Sequence, residues 1–273
     1  MNTDCSTPSY TPAPASLFPI DVPHSCLVVI PTYNEALNIE RLLAEVLAQG
    51  AAFDVLVVDD ASPDGTGDLV AAMAAQSDRI QLLRRAGKQG LGTAYIAGFR
   101  YGLQRGYRFV CEMDADFSHQ PCYLQQMLAL AADRYDVVLG SRNIRGGHAE
   151  NWSLMRHIIS KGGSLYARLV LGMPIRDCTG GYKCFRTDAL RAVNIDRLQS
   201  SGYAFQVEMN YRCFLAGLRI CEIPIIFPDR VAGASKMSRS IVREAALMVL
   251  RLRFQSLVAH RRKSPLHLGT SHK

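Results

Sequence analysis

Cys26-Leu27-Val28-Val29-Ile30 is an unbroken apolar run that ends at Pro31-Thr32-Tyr33. A half-exposed strand would carry a polar side chain at every second position, so a continuous run reads as a strand buried on both faces. Glu35 to Ala48 follows with apolar residues at helical spacing (Leu37, Ile39, Leu42, Leu43, Val46, Leu47), and Gly50 stops it. Val55-Leu56-Val57-Val58 is a second buried strand, closed by Asp59-Asp60. Strand, helix and strand joined by short connectors form the unit of a parallel, doubly wound sheet.

The same alternation extends outward. Ser62-Pro63-Asp64-Gly65-Thr66-Gly67 turns into a helix from about Asp68 to Gln76, and Ile80-Gln81-Leu82-Leu83 is a third strand. A Gly-rich segment, Gly87 to Gly92, precedes a helix through Leu103. Phe109 to Met113 is the fourth strand, Tyr123 to Ala132 a helix, and Asp136 to Leu139 the fifth strand. Farther on, Trp152 to Leu171 and Tyr203 to Ala216 have helical patterns, and Ile220 to Phe227 reads as a strand interrupted by Pro224. Gly162-Gly163 predicts a break or a close approach in the first of these helices. A last helix is expected from Ser238 to about Ala259. Its apolar positions are too many for one narrow stripe, so part of it packs on the domain and part can face lipid.

Ligands of doubly wound sheets sit beyond the carboxyl ends of the strands. Pro31-Thr32-Tyr33, Asp59-Asp60, Asp114-Ala115-Asp116 and Gly140-Ser141-Arg142 all fall at that edge. Two carboxylates one residue apart at a strand end leave it in the same direction. Asp114 and Asp116 therefore suit a hard divalent cation that bridges to substrate phosphates, or else are two solvated acids in a turn. No G-x-G-x-x-G follows the first strand, and neither G-x-x-x-x-G-K-[ST] nor G-x-S-x-G occurs. Dinucleotide redox, P-loop and α/β-hydrolase chemistry drop out. A nucleotide-diphosphate site without a P-loop remains, of the kind that can hold a nucleotide-sugar donor.

The 273 residues are 48% hydrophobic, which suits one large α/β domain or two small ones. No stretch approaches the ~20 apolar residues of a membrane span. Residues 1–24 are rich in Ser, Thr and Pro and read as a disordered leader. Eight cysteines without a C-x-x-C make zinc unlikely on spacing and fit a reducing compartment. The net charge is +7, and beyond Glu244 there is no acid, while Arg251, Arg253, Arg261, Arg262, Lys263 and Lys273 are basic. The body is nearly neutral, so nucleic acid is a poor partner. The basic end points to an anionic surface or is a solvated tail.

Taken together, Pro31-Thr32-Tyr33-Asn34-Glu35, Asp59 to Thr66, Met113 to His119, Gly140-Ser141-Arg142, Asp177 to Tyr182, Gly202 to Gln206 and Asp229 to Lys236 resemble the dolichyl- or polyprenyl-phosphate mannose synthases, inverting family 2 glycosyltransferases of GT-A fold. The resemblance spans roughly residues 25 to 255. S-P-D-G-T followed by D-R-x-x-G-x-S-K is its most specific part. It implies an α/β GT-A fold, Rossmann-like, with a mostly parallel sheet flanked by helices. The domain would span 25–237, followed by a C-terminal amphipathic helix, 238–260, and a basic tail, 261–273.

The resemblance also implies roles. Pro31, Tyr33, Glu35, Val58 and Asp60 would contact the guanosine of GDP-mannose. Asp114, Ala115 and Asp116 would hold the mannose-diphosphate and a divalent metal, Mg or Mn. Arg142, Arg230 and Lys236 would face phosphate, and Arg142, Arg156 and Ser160 the acceptor's phosphate. Asp114, Asp116, Arg142 and Lys236 would be the catalytic set. Some relatives place a metal-ligating Gln where Ser118 stands. The nucleophile would be the polyprenyl phosphate's own oxygen, with inversion at the anomeric carbon and no general base. The enzyme would sit peripherally on the cytoplasmic face of a membrane, by surface adsorption or through a membrane-anchoring partner subunit.

Plainer readings stand beside these. Arg142 could be a surface arginine, Arg156 and Ser160 could lie on a solvated helix face, and Asp177 could cap a turn. His119 reads as a loop residue and Glu208 as facing a neighbouring helix. The other enzyme class is a UDP-glucose-dependent polyprenyl-phosphate glucosyltransferase, and a different kind of function is an inert membrane-associated nucleotide-sugar binding module.

Overall fold

A computed structural model of the chain describes residues 22–198, 200, 202–229 and 246–256. Arg230, Lys236, the tail from 261 and most of the expected leader lie outside the described residues, as do both ends of the expected C-terminal helix.

The first half follows the expected alternation: β1 (Cys26–Thr32), α1 (Ile39–Leu47), β2 (Phe53–Asp59), α2 (Thr66–Ala74), β3 (Ile80–Arg84), α3 (Leu91–Gln104), β4 (Phe109–Glu112), α4 (Leu124–Asp133) and β5 (Val137–Ser141). The second half contributes β6 (His148–Ala149), α5 (Leu154–Leu171), β7 (Lys183–Arg186), α6 (Thr187–Val193), α7 (Gly202–Leu215), β8 (Ile220–Pro224) and β9 (Ile226–Phe227). Residues 246–256 form a further helix, α8.

Seven strands make one sheet in the order β3-β2-β1-β4-β7-β5-β8. Every neighbouring pair is parallel except those of β7, which runs antiparallel to β4 and β5. β1 lies at the centre of the first half, with Val28 opposite Val55 on β2 and Cys111 on β4. Side chains alternate across the sheet. Cys26, Val28 and Ile30 join a core with Leu42, Leu43, Val46, Leu124 and Met127 of α1 and α4. Leu27 and Val29 join another with Tyr95, Phe99, Phe205 and Met209 of α3 and α7. Both faces are covered, which is why these strands carry no alternating polar residues. At Gly98, α3 comes so close to the sheet that an added Cβ would collide with the Val29 side chain.

One feature departs from the sequence reading and another extends it. Gly162 and Gly163 do not break α5: the helix is continuous, and among the described residues a Cβ at either would meet nothing within 4 Å. The strand from Ile220 to Phe227 is interrupted at Pro224 as expected, and its second part, β9, pairs with β6 in a separate two-stranded sheet. α8 buries Val249 and Leu252 but exposes Leu247, Leu250 and Phe254. It touches α5 through the Tyr166 hydroxyl, which donates to the Ala246 carbonyl at 3.2 Å.

Candidate active site

The loops after β1, β2, β4 and β5 open on one edge of the sheet. Asn34, Ala61 and Phe117, which follow β1, β2 and β4, all have left-handed backbone with φ of 63°, 55° and 60°. Such conformations persist where the surroundings over-determine them, often at functional sites.

Ser62-Pro63-Asp64-Gly65-Thr66 is a clamp between the first two loops. The Ser62 hydroxyl accepts the Asn34 N–H at 3.1 Å, the Thr66 hydroxyl that of Glu35 at 3.0 Å, and the Asp64 carboxylate that of Ala36 at 3.0 Å. Burial raises the Asp64 pKa somewhat, but hydrogen bonds from Thr66 and Ala36 outweigh it and hold the carboxyl below its usual range. Gly65 takes φ 87° at the start of α2, a conformation that costs glycine little. Tyr33 and Glu35 thus sit on a fixed loop, and Pro31, near the end of β1, pairs with the buried Val58 on β2. Asp60 forms a two-pronged ion pair with Arg85, whose second nitrogen donates at 2.7 Å, and the Lys88 ammonium sits 4.1 Å above the Tyr33 ring.

Asp114 and Asp116 lie just past β4. The Tyr95 hydroxyl donates to Asp114 at 2.8 Å. Burial and the Asp114 charge push the Tyr95 pKa well above normal, so it stays a donor. Asp116 accepts the Ser118 N–H at 3.1 Å, and the buried Ser118 hydroxyl has no hydrogen-bond partner among the described residues. His119 is buried: its Nδ1 accepts the Asp114 N–H at 2.9 Å, which places its proton on Nε2, and burial lowers its pKa. It is a neutral positioning group for the acidic loop.

Arg142 directly follows β5 and is held by Asp177 through two charge-assisted hydrogen bonds of 2.8 and 2.7 Å, while its own backbone N–H donates to the same carboxylate at 2.9 Å. Arg156 donates to Asp229 at 2.6 Å and stacks 3.9 Å above Trp152. Arg142 lies 5.4 Å from that ring and 5.0 Å from Phe227. Phe227 in turn touches His119 at 5.4 Å and Trp152 at 5.5 Å. An aromatic chain therefore joins the acidic loop to both arginines. Ser160 lines a small cavity beside Trp152 and Arg142.

Below the site, the fully buried Lys183 contacts Glu112 at 3.4 Å, donates to the Gly180 carbonyl at 2.9 Å and meets Gln206. This network ties D-C-T-G-G-Y and G-Y-A-F-Q to the floor beneath Asp114. Glu208 accepts from Ser200 and Arg212 and serves local structure. Cys26, Cys111 and Cys184 bring their sulfurs within 4.8 Å of one another inside the sheet. Burial pushes the Cys26 thiol well above its usual pKa, as suits a core hydrophobe.

Residues 27–193 match the family described as Glycosyl transferase family 2. The chain is 49% identical over 225 residues to an undecaprenyl-phosphate mannosyltransferase of Micrococcus luteus, covering 82% of this chain and 92% of that one. It is 42% identical over 224 residues to a polyprenol monophosphomannose synthase of Mycolicibacterium smegmatis, covering 82% and 84%. Among solved structures, glucosyl-3-phosphoglycerate synthase of Mycobacterium tuberculosis, in complex with Mn2+, UDP and glucosyl-3-phosphoglycerate, superposes with a TM-score of 0.60 at 16% identity, covering 97% of this chain and 90% of that one. A mannosyltransferase of Pyrobaculum calidifontis, in complex with GDP-Man and Mn2+, gives 0.50 at 17% identity, covering 89% and 76%.

Proposed function

The chain belongs to glycosyl transferase family 2, among its polyprenyl-phosphate mannosyltransferases, and from that premise we propose that it transfers mannose from GDP-mannose to a polyprenyl phosphate with inversion, releasing GDP. The observation that carries this reading is the aromatic chain of His119, Phe227 and Trp152, which sets the acidic loop and two arginines around one edge of a GT-A sheet.

Asp116 and Asp114 are the residues that would hold a divalent cation, magnesium or manganese. The donor set fits a hard ion: two carboxylates and, at Ser118, a buried hydroxyl with no partner among the described residues. When bound, the ion supplies positive charge that offsets the departing diphosphate. Tyr33, with Lys88 above it, and Asp60, held by Arg85, form the nucleotide end. The acceptor's phosphate, with a second pKa of about 6, is largely ionised at neutral pH and needs no base. That agrees with His119, whose Nδ1 is already occupied. Arg142 and Arg156 align the acceptor, and Arg230 and Lys236, outside the described residues, complete the phosphate-facing set. Catalysis then rests on positioning and preorganised charge. Calorimetric titration with manganese tests the donor choice: GDP-mannose binds and UDP-glucose does not compete. Equal binding of the two would refute the guanosine assignment.

Arg156→Ala is expected to raise the KM for the lipid phosphate about ten- to a hundredfold, with a smaller effect on GDP-mannose. Asp229→Ala separates the two roles of Arg156. A direct phosphate contact predicts a weaker effect from Asp229→Ala, measured by the same initial-rate series.

No helix among the described residues is long and apolar enough to cross a membrane. The outward face of α5 nevertheless exposes Leu154, Met155, Ile158, Leu165 and, at 71%, Leu169, and α8 beside it exposes Leu247, Leu250 and Phe254. This pair of helices is the surface that rests on the bilayer's cytoplasmic face. Ile158→Ser with Leu169→Ser should weaken vesicle binding by about a hundredfold or more, since each buried aliphatic side chain contributes about 1.5–3 kcal/mol. Flotation measures it, and turnover on a short, water-soluble acceptor should persist.

A further inference from the structure

The loop after β5, the residues following α5 and the flank of α5 enclose an open cleft of about 410 Å³. Its walls include Arg142, Asn143, Lys161, Leu165, Arg168 and Arg176 and, among the described residues, no carboxylate. Arg142 is committed to Asp177. The side chains of Lys161, Arg168 and Arg176 have no hydrogen-bond or ion-pair partner among the described residues. Arg145 and Arg197 likewise have no carboxylate partner among the described residues, so what distinguishes these three is that they converge on one cleft. Arg168 lies in the last turn of α5 and is favoured there by the helix dipole. The dipole accounts for neither Lys161, in the middle of the helix, nor Arg176, beyond it. Three like charges converging on one cavity repel each other unless an anion joins them.

The rim says which anion. Leu165 lines the cleft and is 53% exposed, and Leu169 stands one turn farther along the same helix. A cationic floor under an apolar rim suits an amphiphile whose phosphodiester enters while its chains follow the helix into lipid. The cavity beside Ser160 is a separate one that meets this cleft at Arg142, Asn143 and Lys161. We propose that the cleft binds the headgroup of an anionic phospholipid, apart from the acceptor's phosphate, and so fixes the orientation of the enzyme on the bilayer. This rests on the reading of α5 as the membrane face.

The test is calorimetric titration of the full chain with a short-chain phosphatidylglycerol, kept monomeric in water. The wild type should bind it saturably. Arg168→Gln with Arg176→Gln should weaken binding about a hundredfold, two charge-assisted hydrogen bonds at about tenfold each. Arg168→Lys with Arg176→Lys should restore part of it. Arg251→Gln with Arg253→Gln, on the neighbouring α8, should bind like the wild type. Turnover on a water-soluble acceptor should be unchanged in the double Gln variant. The proposal is overturned if the double Gln variant binds like the wild type, or if the α8 variant loses as much, which would mean diffuse surface charge. It is also overturned if inorganic phosphate displaces the lipid at equal concentration, or if turnover falls with binding, which would make the cleft part of the acceptor site. Saturable binding in a wild type that transfers no mannose would support the cleft while counting against the proposed function.

Discussion

Asp116→Ala is expected to lose turnover by on the order of a thousandfold, the upper range for deleting one group that stabilises developing charge. The fold should be unaffected. Asp116 lies past the end of β4, and the hydrogen bond it accepts from the Ser118 N–H is local to its loop. Chelator should have the same effect on the wild type, and added manganese should reverse it. Circular dichroism melting separates the two causes: an unchanged melting curve with lost activity assigns the loss to the site. Full activity of the variant, or of the wild type in chelator, would rule out a metal held by the acidic pair.

The second large effect is on stability. Asp177 is 0% exposed and holds Arg142, which is 10% exposed. Asp177→Asn removes one partner of a buried pair and leaves a guanidinium without its counter-charge, at a cost of about 3–5 kcal/mol. For a domain of this size that lowers Tm by on the order of 10 °C. The pair also sets a pH response. Burial works to raise the Asp177 pKa, but the Arg142 charge and hydrogen bonds outweigh it, so the folded-state pKa lies below the unfolded one. A carboxyl depressed in this way contributes its stability above the unfolded carboxylate range and loses it as pH falls through the folded value. The wild type should therefore lose Tm on acidification below the usual carboxylate range, and Asp177→Asn should lose less over the same interval. Parallel pH curves for the two proteins would show that the pair does not govern acid stability.

Much of the frame was legible because burial on both faces writes itself into composition. β1, β2, β4 and β5 are apolar runs, and the strands extend past those runs to Thr32, Asp59 and Ser141, where polar residues meet the edge. β7 left no such mark. It has four residues, carries a charge at each end, and pairs between β4 and β5, where Glu112 and Gln206 accept the buried Lys183. That partnership joins distant parts of the chain and has no local signal. The site divides in the same way. Its acids and arginines stood out as motifs, whereas the partners of Asp60, Arg142 and Arg156 come from 25, 35 and 73 positions away. Arg85 and Lys88 went unread for that reason, although their place just before and within the Gly-rich segment ahead of α3 was a usable hint. His119 read as a loop residue. Its burial against Tyr182 follows from tertiary packing, while its bond to the Asp114 N–H is made within the loop itself, five residues apart.

The most direct test of the account is product analysis. The purified chain is incubated with manganese, a short polyprenyl phosphate and either GDP-mannose or UDP-glucose, and the lipid fraction is examined by mass spectrometry and by NMR of the anomeric centre. The account predicts polyprenyl-phosphate β-mannose from GDP-mannose, with GDP released in equal amount, and no glycolipid from UDP-glucose. Glucosyl lipid from UDP-glucose, an α-linked product, or hydrolysis of GDP-mannose without lipid product would contradict it.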